Sequence, residues 1–439
     1  MPKFTDPVFR GVFKSLPLVG LAVLIFCGCG ANSDMAGSKA ANDDDSSSYH
    51  PPVGGGDDDD TSGATNDDDS AVGDDEDATP PPDEGDYHPP SGGEDPPPAG
   101  TLTAGATDDH AEWEAYLHYA SSYRSGGVYA IDLNPRISLQ VVDAEDRPVA
   151  DAVLEIGVSG QDLIQLKTYS DGRTWFFPDS QSVTRNTPVF TIRARKESAV
   201  SNEVELSQES RVTLRLDSPR PEPRAIGLDL LFVVDTTGSM QDEIDQIRTS
   251  MESISWRVNE NARGFGIQLA DRYGLVRYRD RDDAYTVQKV DFTSSLDDFR
   301  RELDQTRAAG GGDYPEDVNR ALKSAVREMD WETGEAVRIL FLIADAPPHL
   351  DYGQDYNYLT ETQRAHELAI RIYPIASSGT DDDAQYCFRE MAAVTGARYL
   401  FLRGNRDDSS PGSGSSYTLG RLDDLIVEIV KDEMEPYQP

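Results

Sequence analysis

Cysteine and positive charge are both scarce in this sequence. Only three of the 439 residues are cysteine, and two of these lie within the first 30 residues, so disulfide bonds cannot hold the fold together. Lysine and arginine number 40 against 80 acidic residues, which gives a formal net charge of −40. A clear acidic excess remains when the first 110 residues are set aside, and this argues against nucleic acid as a partner. The length leaves room for two or three domains.

Residues 1–29 have the organisation of a signal peptide. Three basic residues, Lys3, Arg10 and Lys14, precede the apolar segment 16–26. This segment is too short to span a bilayer as a mature helix, but it has the length of a signal-peptide core. We therefore expect the chain to enter a secretory route.

Two cysteines end this segment, in the order Phe26-Cys27-Gly28-Cys29. The stretch resembles the bacterial lipobox, in which a small residue precedes a cysteine that receives lipid and becomes the new N-terminus. Cys29 follows Gly28 and fits this pattern better than Cys27. The resemblance implies a lipid anchor in the cell envelope, and Gly30 after the cysteine, where an aspartate would retain the protein, favours the outer membrane and the cell surface. The alternative is an ordinary secretory signal.

Residues 30–110 form an acidic stretch of low complexity. Asp, Gly, Pro and Ser dominate it, and residues 31–110 contain 22 acidic side chains against the single Lys39. Such a composition buries too little apolar surface to offset the entropy cost of ordering, so the stretch is predicted to be a disordered tether. Its aspartates stand in consecutive runs, whereas calcium loops space their carboxylates with turn residues. A solvated tether is therefore favoured over calcium binding.

Residues 111–220 have a different pattern. Apolar side chains recur at helical spacing over 112–123, which predicts a short amphipathic helix. From residue 137, short alternating segments follow with turn signals about every eight to twelve residues, and this predicts an antiparallel β-sandwich. The stretches 141–156 and 168–177 resemble parts of carboxypeptidase-regulatory-like and transthyretin-like modules. That resemblance implies a spacer or a binding surface without catalysis.

Strand and helix patterns alternate over residues 226–436. Two apolar segments, 230–234 and 337–344, the second interrupted only by Arg338, are typical of strands buried on both faces, and such strands belong to parallel sheets covered by helices. The alternation predicts an α/β fold of the Rossmann-like type, with a doubly wound, mostly parallel sheet.

A site is expected where the first of these strands ends. Asp235, Thr237 and Ser239 stand at alternate positions of a short loop. In open α/β sheets ligands bind beyond the carboxyl ends of the strands, and carboxylate and hydroxyl oxygens suit Mg²⁺, Mn²⁺ or Ca²⁺. Ser239 and Asp242 also have the spacing of a helix capping box, which is a simpler role for the serine. A cap does not account for Asp235 at the end of a buried strand, because a buried carboxylate needs a partner.

The stretch DTTGS at 235–239 resembles the metal-ion-dependent adhesion site, or MIDAS, of the von Willebrand factor type A (VWA) domain. Two later stretches resemble the other loops of that site, GGGDYPE at 310–316 and FLIADAPPH at 341–349. The resemblance covers about residues 226–436, and three motifs in the family's order make it specific. It implies a cofactor of Mg²⁺, Mn²⁺ or Ca²⁺. The implied metal residues are Asp235, Thr237, Ser239, Asp313 and Asp345.

The resemblance also implies a function in metal-dependent protein interaction or adhesion, with an acidic side chain of a protein ligand on the metal. Asp313 stands where integrin-like sites have threonine, and this extra carboxylate would hold the metal more firmly while reducing its attraction for an acidic ligand. A structural or assembly factor with a purely stabilising metal is therefore kept as an alternative. His349, beside the third loop, is a candidate border residue.

Enzymatic interpretations agree less well with the residues. A haloacid-dehalogenase-like phosphatase needs a second aspartate where Thr237 stands, and an aspartic protease needs Asp-Thr-Gly-Ser in two copies. A serine hydrolase would pair Ser239 with a base, yet His349 and His366, the histidines of this part of the chain, stand in no recognisable motif. Cys387 lies in a helical pattern and is expected to be buried. We predict no enzymatic activity, and a metal-dependent hydrolase is the remaining alternative.

Overall fold

The computed structural model describes the chain between residues 103 and 438, with gaps. The described residues are 103–158, 161–181, 190–206, 211–221, 225–312, 314–377, 379–402 and 416–438. The predicted signal peptide, the candidate lipidation sites Cys27 and Cys29, and the acidic tether up to residue 102 lie outside the described residues. Within those ranges, no helix has the length and apolar character needed to cross a membrane.

Sixteen strands and seven helices make up the described part of the chain. In chain order the strands are β1 (Thr103–Thr107), β2 (Ile137–Val142), β3 (Val153–Val158), β4 (Gln161–Lys167), β5 (Arg173–Phe176), β6 (Phe190–Lys196), β7 (Ala199–Val200), β8 (Val204–Leu206), β9 (Arg211–Arg215), β10 (Ile226–Asp235), β11 (Leu269–Tyr278), β12 (Val287–Thr293), β13 (Ala336–Ala344), β14 (Ile370–Ala376), β15 (Tyr399–Leu402) and β16 (Thr418–Arg421). The helices are α1 (Trp113–Ser122), α2 (Gln241–Gly264), α3 (Leu296–Gln305), α4 (Val318–Lys323), α5 (Tyr358–Glu367), α6 (Asp382–Thr395) and α7 (Leu422–Met434).

The largest sheet has the strand order β12-β11-β10-β13-β14-β15-β1-β16. Neighbours from β11 to β15 pair in parallel, whereas β12, β1 and β16 pair antiparallel at the two ends. Strands β10 and β13 are buried along almost their whole length, as central strands covered by helices must be. The predicted α/β fold with a mostly parallel sheet is confirmed for this part of the chain.

The helices form two groups around this sheet. Helix α2 contacts α3 and α7, while α5 contacts α4 and α6. Both groups contribute to one continuous apolar core together with the strands. The apolar stripe of α2 faces this core, and all of its members are buried: Ile244, Ile247, Met251, Ile254 and Val258.

The predicted end of the acidic tether at residue 110 is too late. Residues Thr103–Thr107 form β1, which lies between β15 and β16 and pairs antiparallel with both. Its small side chains hide it from a search for apolar alternation, and Gly105 is needed because a Cβ there would collide with the Phe401 ring. The α/β domain therefore begins with β1 rather than at residue 226. The two small sheets are inserted between β1 and β10.

Strands β2 to β9 form two small sheets that share one apolar core. One sheet has the order β5-β2-β9, and the other has the order β4-β3-β6-β7 with β8 against β6. Leu139 and Leu214 of the first sheet belong to the same buried cluster as Leu154 and Ile192 of the second. The pairing differs from the predicted antiparallel arrangement at one place, where β2 and β9 run parallel. Between β2 and β9 the chain passes through the second sheet, and it re-enters the first sheet running in the same direction as β2.

Helix α1 and α5 join the small sheets to the α/β domain. The Arg389 guanidinium donates two hydrogen bonds to Asp109, at 3.0 and 2.6 Å, and both side chains are buried. His366 is buried too, with Nε2 at 2.8 Å from the Trp175 carbonyl oxygen and Nδ1 at 2.9 Å from the Tyr169 hydroxyl. Because a carbonyl only accepts, Nε2 carries the proton of the neutral ring. Burial lowers the pKa of His366 to about 4, so the ring is neutral at pH 7.

Candidate metal site

Two neighbouring parallel strands deliver the predicted metal residues. Strand β10 ends at Asp235, whose side chain is fully buried, and β13 ends one residue before Asp345. Because β10 and β13 pair in parallel, their loops leave the same edge of the sheet. Thr237 and Ser239 lie in the loop after β10, where a short 3₁₀ turn leads into α2.

Four of the five predicted metal residues form two hydrogen-bonded pairs. Thr237 donates to Asp235 Oδ1 from its backbone N–H at 2.9 Å and from its hydroxyl at 2.8 Å. Ser239 donates its hydroxyl proton to Asp345 Oδ2 at 2.5 Å. Both hydroxyl protons point at carboxylates, so the lone pairs of the hydroxyl oxygens are available to a cation. Asp313, the fifth residue, lies outside the described residues.

The simpler role of Ser239 as a helix cap differs from what the structure shows. Helix α2 begins at Gln241, and its N-terminal cap position is Met240, without a capping side chain. The Ser239 hydroxyl is engaged by Asp345 of the third loop. The serine therefore links two loops of the candidate site.

The glycine-rich second loop packs against the first loop. The Gly238 N–H donates to the Gly310 carbonyl oxygen at 3.2 Å. Gly310 and Gly311 have φ angles of +84° and +79°, in the region that favours glycine. A Cβ on Gly311 would come within 2.9 Å of the Thr237 Cβ. These glycines let the second loop approach the predicted metal residues closely.

Glu316 is a site residue that was missed at the level of sequence. Its side chain is buried, and its Oε2 atom accepts no hydrogen bond from the described residues. Its backbone ties the second loop to the third, because its N–H donates to the Pro347 carbonyl at 3.1 Å and its carbonyl accepts from the His349 N–H at 3.2 Å. Glu316 ends the GGGDYPE stretch, so the motif itself was the signal that marks it.

The carboxylates of the site repel one another in a buried setting. Burial raises the pKa of Glu316 to about 9, and the charges of nearby carboxylates, Asp235 foremost, contribute to the same shift. Burial also raises the pKa of Asp235 to about 7, where hydrogen bonds from Thr237 oppose the shift and the charge of Asp345 adds to it. The buried Tyr278 hydroxyl lies near Asp235 but makes no hydrogen bond of normal geometry with a described residue. The site therefore favours an added positive charge.

The residues present fit a divalent cation with oxygen ligands. Asp235 Oδ2 and Glu316 Oε2 are both buried without a hydrogen bond from the described residues, and a buried charged group is unfavourable without a partner. In the described ranges, no three His, Cys, Asp or Glu side chains gather closely enough to enclose an ion by themselves. A donor set of carboxylates together with the hydroxyls of Thr237 and Ser239 would suit Mg²⁺, Mn²⁺ or Ca²⁺.

The chain matches the family model of the von Willebrand factor A domain. Residues 229–371 are a VWA domain. The matched range contains most of β10, all of β13 and the three loops of the candidate site. In the structure, α6, β15, α7 and the strands β1 and β16 complete the sheet and helices around the matched range.

Two known proteins are similar to part of the chain. The alpha-protein kinase vwkA of Dictyostelium discoideum is 32% identical over 136 residues, which are 31% of this chain and 20% of that protein. The putative ariadne-like RING finger protein R811 of Acanthamoeba polyphaga mimivirus is 25% identical over 196 residues, which are 41% of this chain and 19% of that protein. The chain thus spans about a fifth of the length of each relative.

Two solved structures are weakly similar in fold. Proximal thread matrix protein 1 from the mussel byssus aligns with a TM-score of 0.26 at 13% identity, over 41% of this chain and 48% of that one. The conserved hypothetical protein BatB from Bacteroides thetaiotaomicron aligns with a TM-score of 0.24 at 11% identity, over 48% of this chain and 86% of that one. Scores this low have no bearing on function.

A stack of side chains lies beside the loops of the VWA site. The Arg281 guanidinium lies 3.7 Å from the centre of the Tyr352 ring, and the His349 ring stacks on the same tyrosine at 3.9 Å. His349 is buried, and its Nδ1 lies 2.8 Å from an oxygen of Asp351. His349 was expected to border the site. Its backbone N–H donates to the Glu316 carbonyl oxygen, whereas its ring lies in the stack with Tyr352.

The candidate residues for enzymatic chemistry are hydrogen-bonded or buried in the structure. Ser239 donates to Asp345, and His366 lies at the junction with the small sheets. Cys387 is fully buried, and burial raises the pKa of its thiol. That the chain has no enzymatic activity stays a prediction.

Proposed function

We propose that the VWA domain holds one divalent cation and mediates metal-dependent binding of a protein partner. The family match supports a role in protein interaction or adhesion. The metal is supported by one observation above the others, the two buried carboxylate oxygens without a hydrogen bond, Asp235 Oδ2 and Glu316 Oε2. A buried carboxylate needs a cation or a proton beside it.

Thr237 and Ser239 would ligate the ion directly through their hydroxyl oxygens. Asp235 and Asp345 accept the hydroxyl protons, and so they hold both oxygens with their lone pairs directed away from the carboxylates. Asp235 and Asp345 would also balance the charge of the ion, directly or through water. A divalent cation bound there supplies an electrophilic centre for an acidic side chain of the partner.

A metal that only stabilises the loops is the second candidate function. It is favoured by the buried Glu316 and by Asp313 in the same loop, since added negative charge at the site would weaken the attraction for an acidic ligand. A short peptide with one aspartate separates the two functions. Adhesion requires that the peptide binds in Mg²⁺ and not in EDTA, and that its aspartate-to-asparagine version does not bind.

Isothermal titration of Mg²⁺, Mn²⁺ and Ca²⁺ into the full chain tests the metal site. We expect one ion per chain, with affinity lowered about tenfold or more in Asp235→Ala and Ser239→Ala. Asp242→Asn is the matched control, because Asp242 is an exposed carboxylate in the first turn of α2. Asp313→Ala and Glu316→Gln measure what the second loop contributes. If none of the three ions binds the wild-type chain, the proposed site does not exist.

We also propose that the chain is a lipoprotein of the cell envelope, anchored in the outer membrane through Cys29. The support is the sequence of residues 1–29, and the acidic tether that follows would hold the VWA domain away from the membrane. Mass spectrometry of the mature N-terminus tests this. Lipid should be absent from Cys29→Ser and present on Cys27→Ser, whereas a wild-type chain without lipid would refute the anchor.

A further inference from the structure

A cleft of about 860 Å³ lies beside the junction of the small sheets with α1. Side chains on the outer face of the sheet β5-β2-β9 line it, together with α1 and the segment 134–136. None of the described residues that line it belongs to the loops of the metal site. Its volume falls in the range of small-molecule sites.

Three arginines line this cleft, Arg136, Arg173 and Arg211. Most arginines in the described part of the chain have a carboxylate oxygen within 4.0 Å, as an acidic protein allows; the pairs of Arg195, Arg272, Arg327 and Arg389 are examples. The three arginines of the cleft have no such ion pair with a described residue. They therefore form a concentration of positive charge without close ion pairs among the described residues, on a chain of net charge −40.

Arg173 and Arg211 flank the central strand of the small sheet. Arg173 pairs in register with Gln140, and Arg211 pairs in register with Ser138. The residue between these two, Leu139, is buried in the core, so Ser138 and Gln140 lie on the opposite, outer face. With two strand spacings and two residues of register between them, the Cα atoms of the two arginines are about 12 Å apart. Both guanidinium groups can therefore reach one anion above β2.

Arg136 is held in place at the wall of the cleft. Its guanidinium lies 4.0 Å over the Trp113 ring, and its Nη1 donates to His110 Nδ1 at 2.8 Å. His110 Nε2 in turn donates to the Ala393 carbonyl at 2.6 Å, which fixes the neutral tautomer. An arginine that is already ordered loses less freedom when it binds a ligand.

The cleft also has a negative side. Asp108 and Glu114 line it, and both act electrostatically on Arg136. Two carboxylates would repel a polyanion such as a nucleic acid, but they can accept hydrogen bonds from hydroxyl groups. Three cations and two anions therefore suit a ligand with little negative charge and several hydroxyls.

We propose that this cleft binds a small hydroxylated molecule that carries one oxyanion group, a carboxylate or a phosphate, as in a sugar acid or a sugar phosphate. Arg173 and Arg211 take the anionic group from two sides, since the guanidinium fork matches the geometry of both oxyanions. Ser138 and Gln140 donate from the floor, and Asp108 and Glu114 accept from the hydroxyls.

Isothermal titration of the full chain tests this, in EDTA so that the metal site takes no part. The probes are glucuronate, glucose 6-phosphate and, as the neutral reference, glucose. We expect at least one of the two anions to bind about tenfold or more tightly than glucose, and about tenfold more weakly to the double variant Arg173→Gln/Arg211→Gln. The anion that binds better identifies the group as carboxylate or phosphate.

Arg124→Gln is the matched control, because Arg124 is an exposed arginine outside the cleft. Arg173 and Arg211 are also exposed, so the double variant should keep the wild-type melting temperature within a few degrees. Three results would overturn the proposal: neither anion binds, the double variant binds as well as the wild type, or glucose binds as well as the anions.

Discussion

Acid should destabilise the chain through one buried histidine. His366 is neutral between the Tyr169 hydroxyl and the Trp175 carbonyl, and burial lowers its pKa to about 4, against 6.5 for an exposed ring. As the pH falls below 6.5, the unfolded chain binds this proton before the folded chain does. The folded state therefore loses stability progressively between about pH 6.5 and pH 4.

The two pKa values set the size of this effect. The contribution of His366 to the free energy of unfolding falls by about 2 kcal/mol between pH 7.5 and pH 5. Buried carboxyl groups act in the opposite direction; burial raises the pKa of Glu390 to about 8, so acid favours its folded, protonated form. The pH dependence of the total free energy of unfolding is therefore a sum of opposing contributions. The difference between the wild type and His366→Gln isolates the histidine.

Urea denaturation at pH 7.5 and at pH 5 measures this difference. His366→Gln should be less stable than the wild type at pH 7.5, because it loses packing and a hydrogen bond. Its stability should then fall by about 2 kcal/mol less than that of the wild type on going to pH 5. His118→Gln, an exposed histidine on α1, should keep the wild-type response. Equal losses in the wild type and in His366→Gln would refute the reasoning.

Three further predictions concern the loops and the junction. Gly311→Ala should weaken Mg²⁺ binding in isothermal titration, because its Cβ would press on Thr237, whereas Gly312→Ala, which meets open space, should not. Asp109→Ala should lower the free energy of unfolding in urea by about 3–5 kcal/mol, because it removes the buried carboxylate that accepts two hydrogen bonds from the Arg389 guanidinium; Asp108→Ala, at an exposed neighbour that accepts from two backbone N–H groups, should lower it by only about 1 kcal/mol. Cys387 should resist thiol reagents in the native chain and react in urea, as peptide mapping would show, since it is fully buried.

The central fold could be predicted from the sequence because its central strands have a distinctive apolar pattern. Residues 230–234 of β10 and 339–344 of β13 lack polar side chains on either face, and this is the signature of a strand covered on both sides. Strand β1 has no such signature, since its five residues TAGAT are small and its pairing partners lie about 300 residues away. The prediction of antiparallel pairing was wrong between β2 and β9 for the same reason, because local alternation contains no information about a distant partner.

The sequence was sufficient to predict which residues form the candidate site, but not how deeply they are buried or how the loops pack around them. The order of Asp235, Thr237 and Ser239 could be taken from the chain, and the structure places each beside a partner. That the Glu316 carboxylate is buried depends on how the second and third loops pack. Two of the cleft arginines, Arg173 and Arg211, come from separate strands, so only the register of β5, β2 and β9 places them on one face.

The position of β1 has a mechanical consequence. If the chain is anchored through its N-terminus as proposed, a pull between the anchor and a partner on the metal loops enters the sheet through β1. This strand runs antiparallel to β15, so its N-terminus lies at the edge of the sheet from which the metal loops leave. The pull therefore acts across the sheet, and it would peel β1 from its two neighbours one hydrogen bond after another instead of shearing both rows together. The small sheets lie between β1 and β10 in sequence but beside this path in space. They would remain unloaded while the central sheet bears the force.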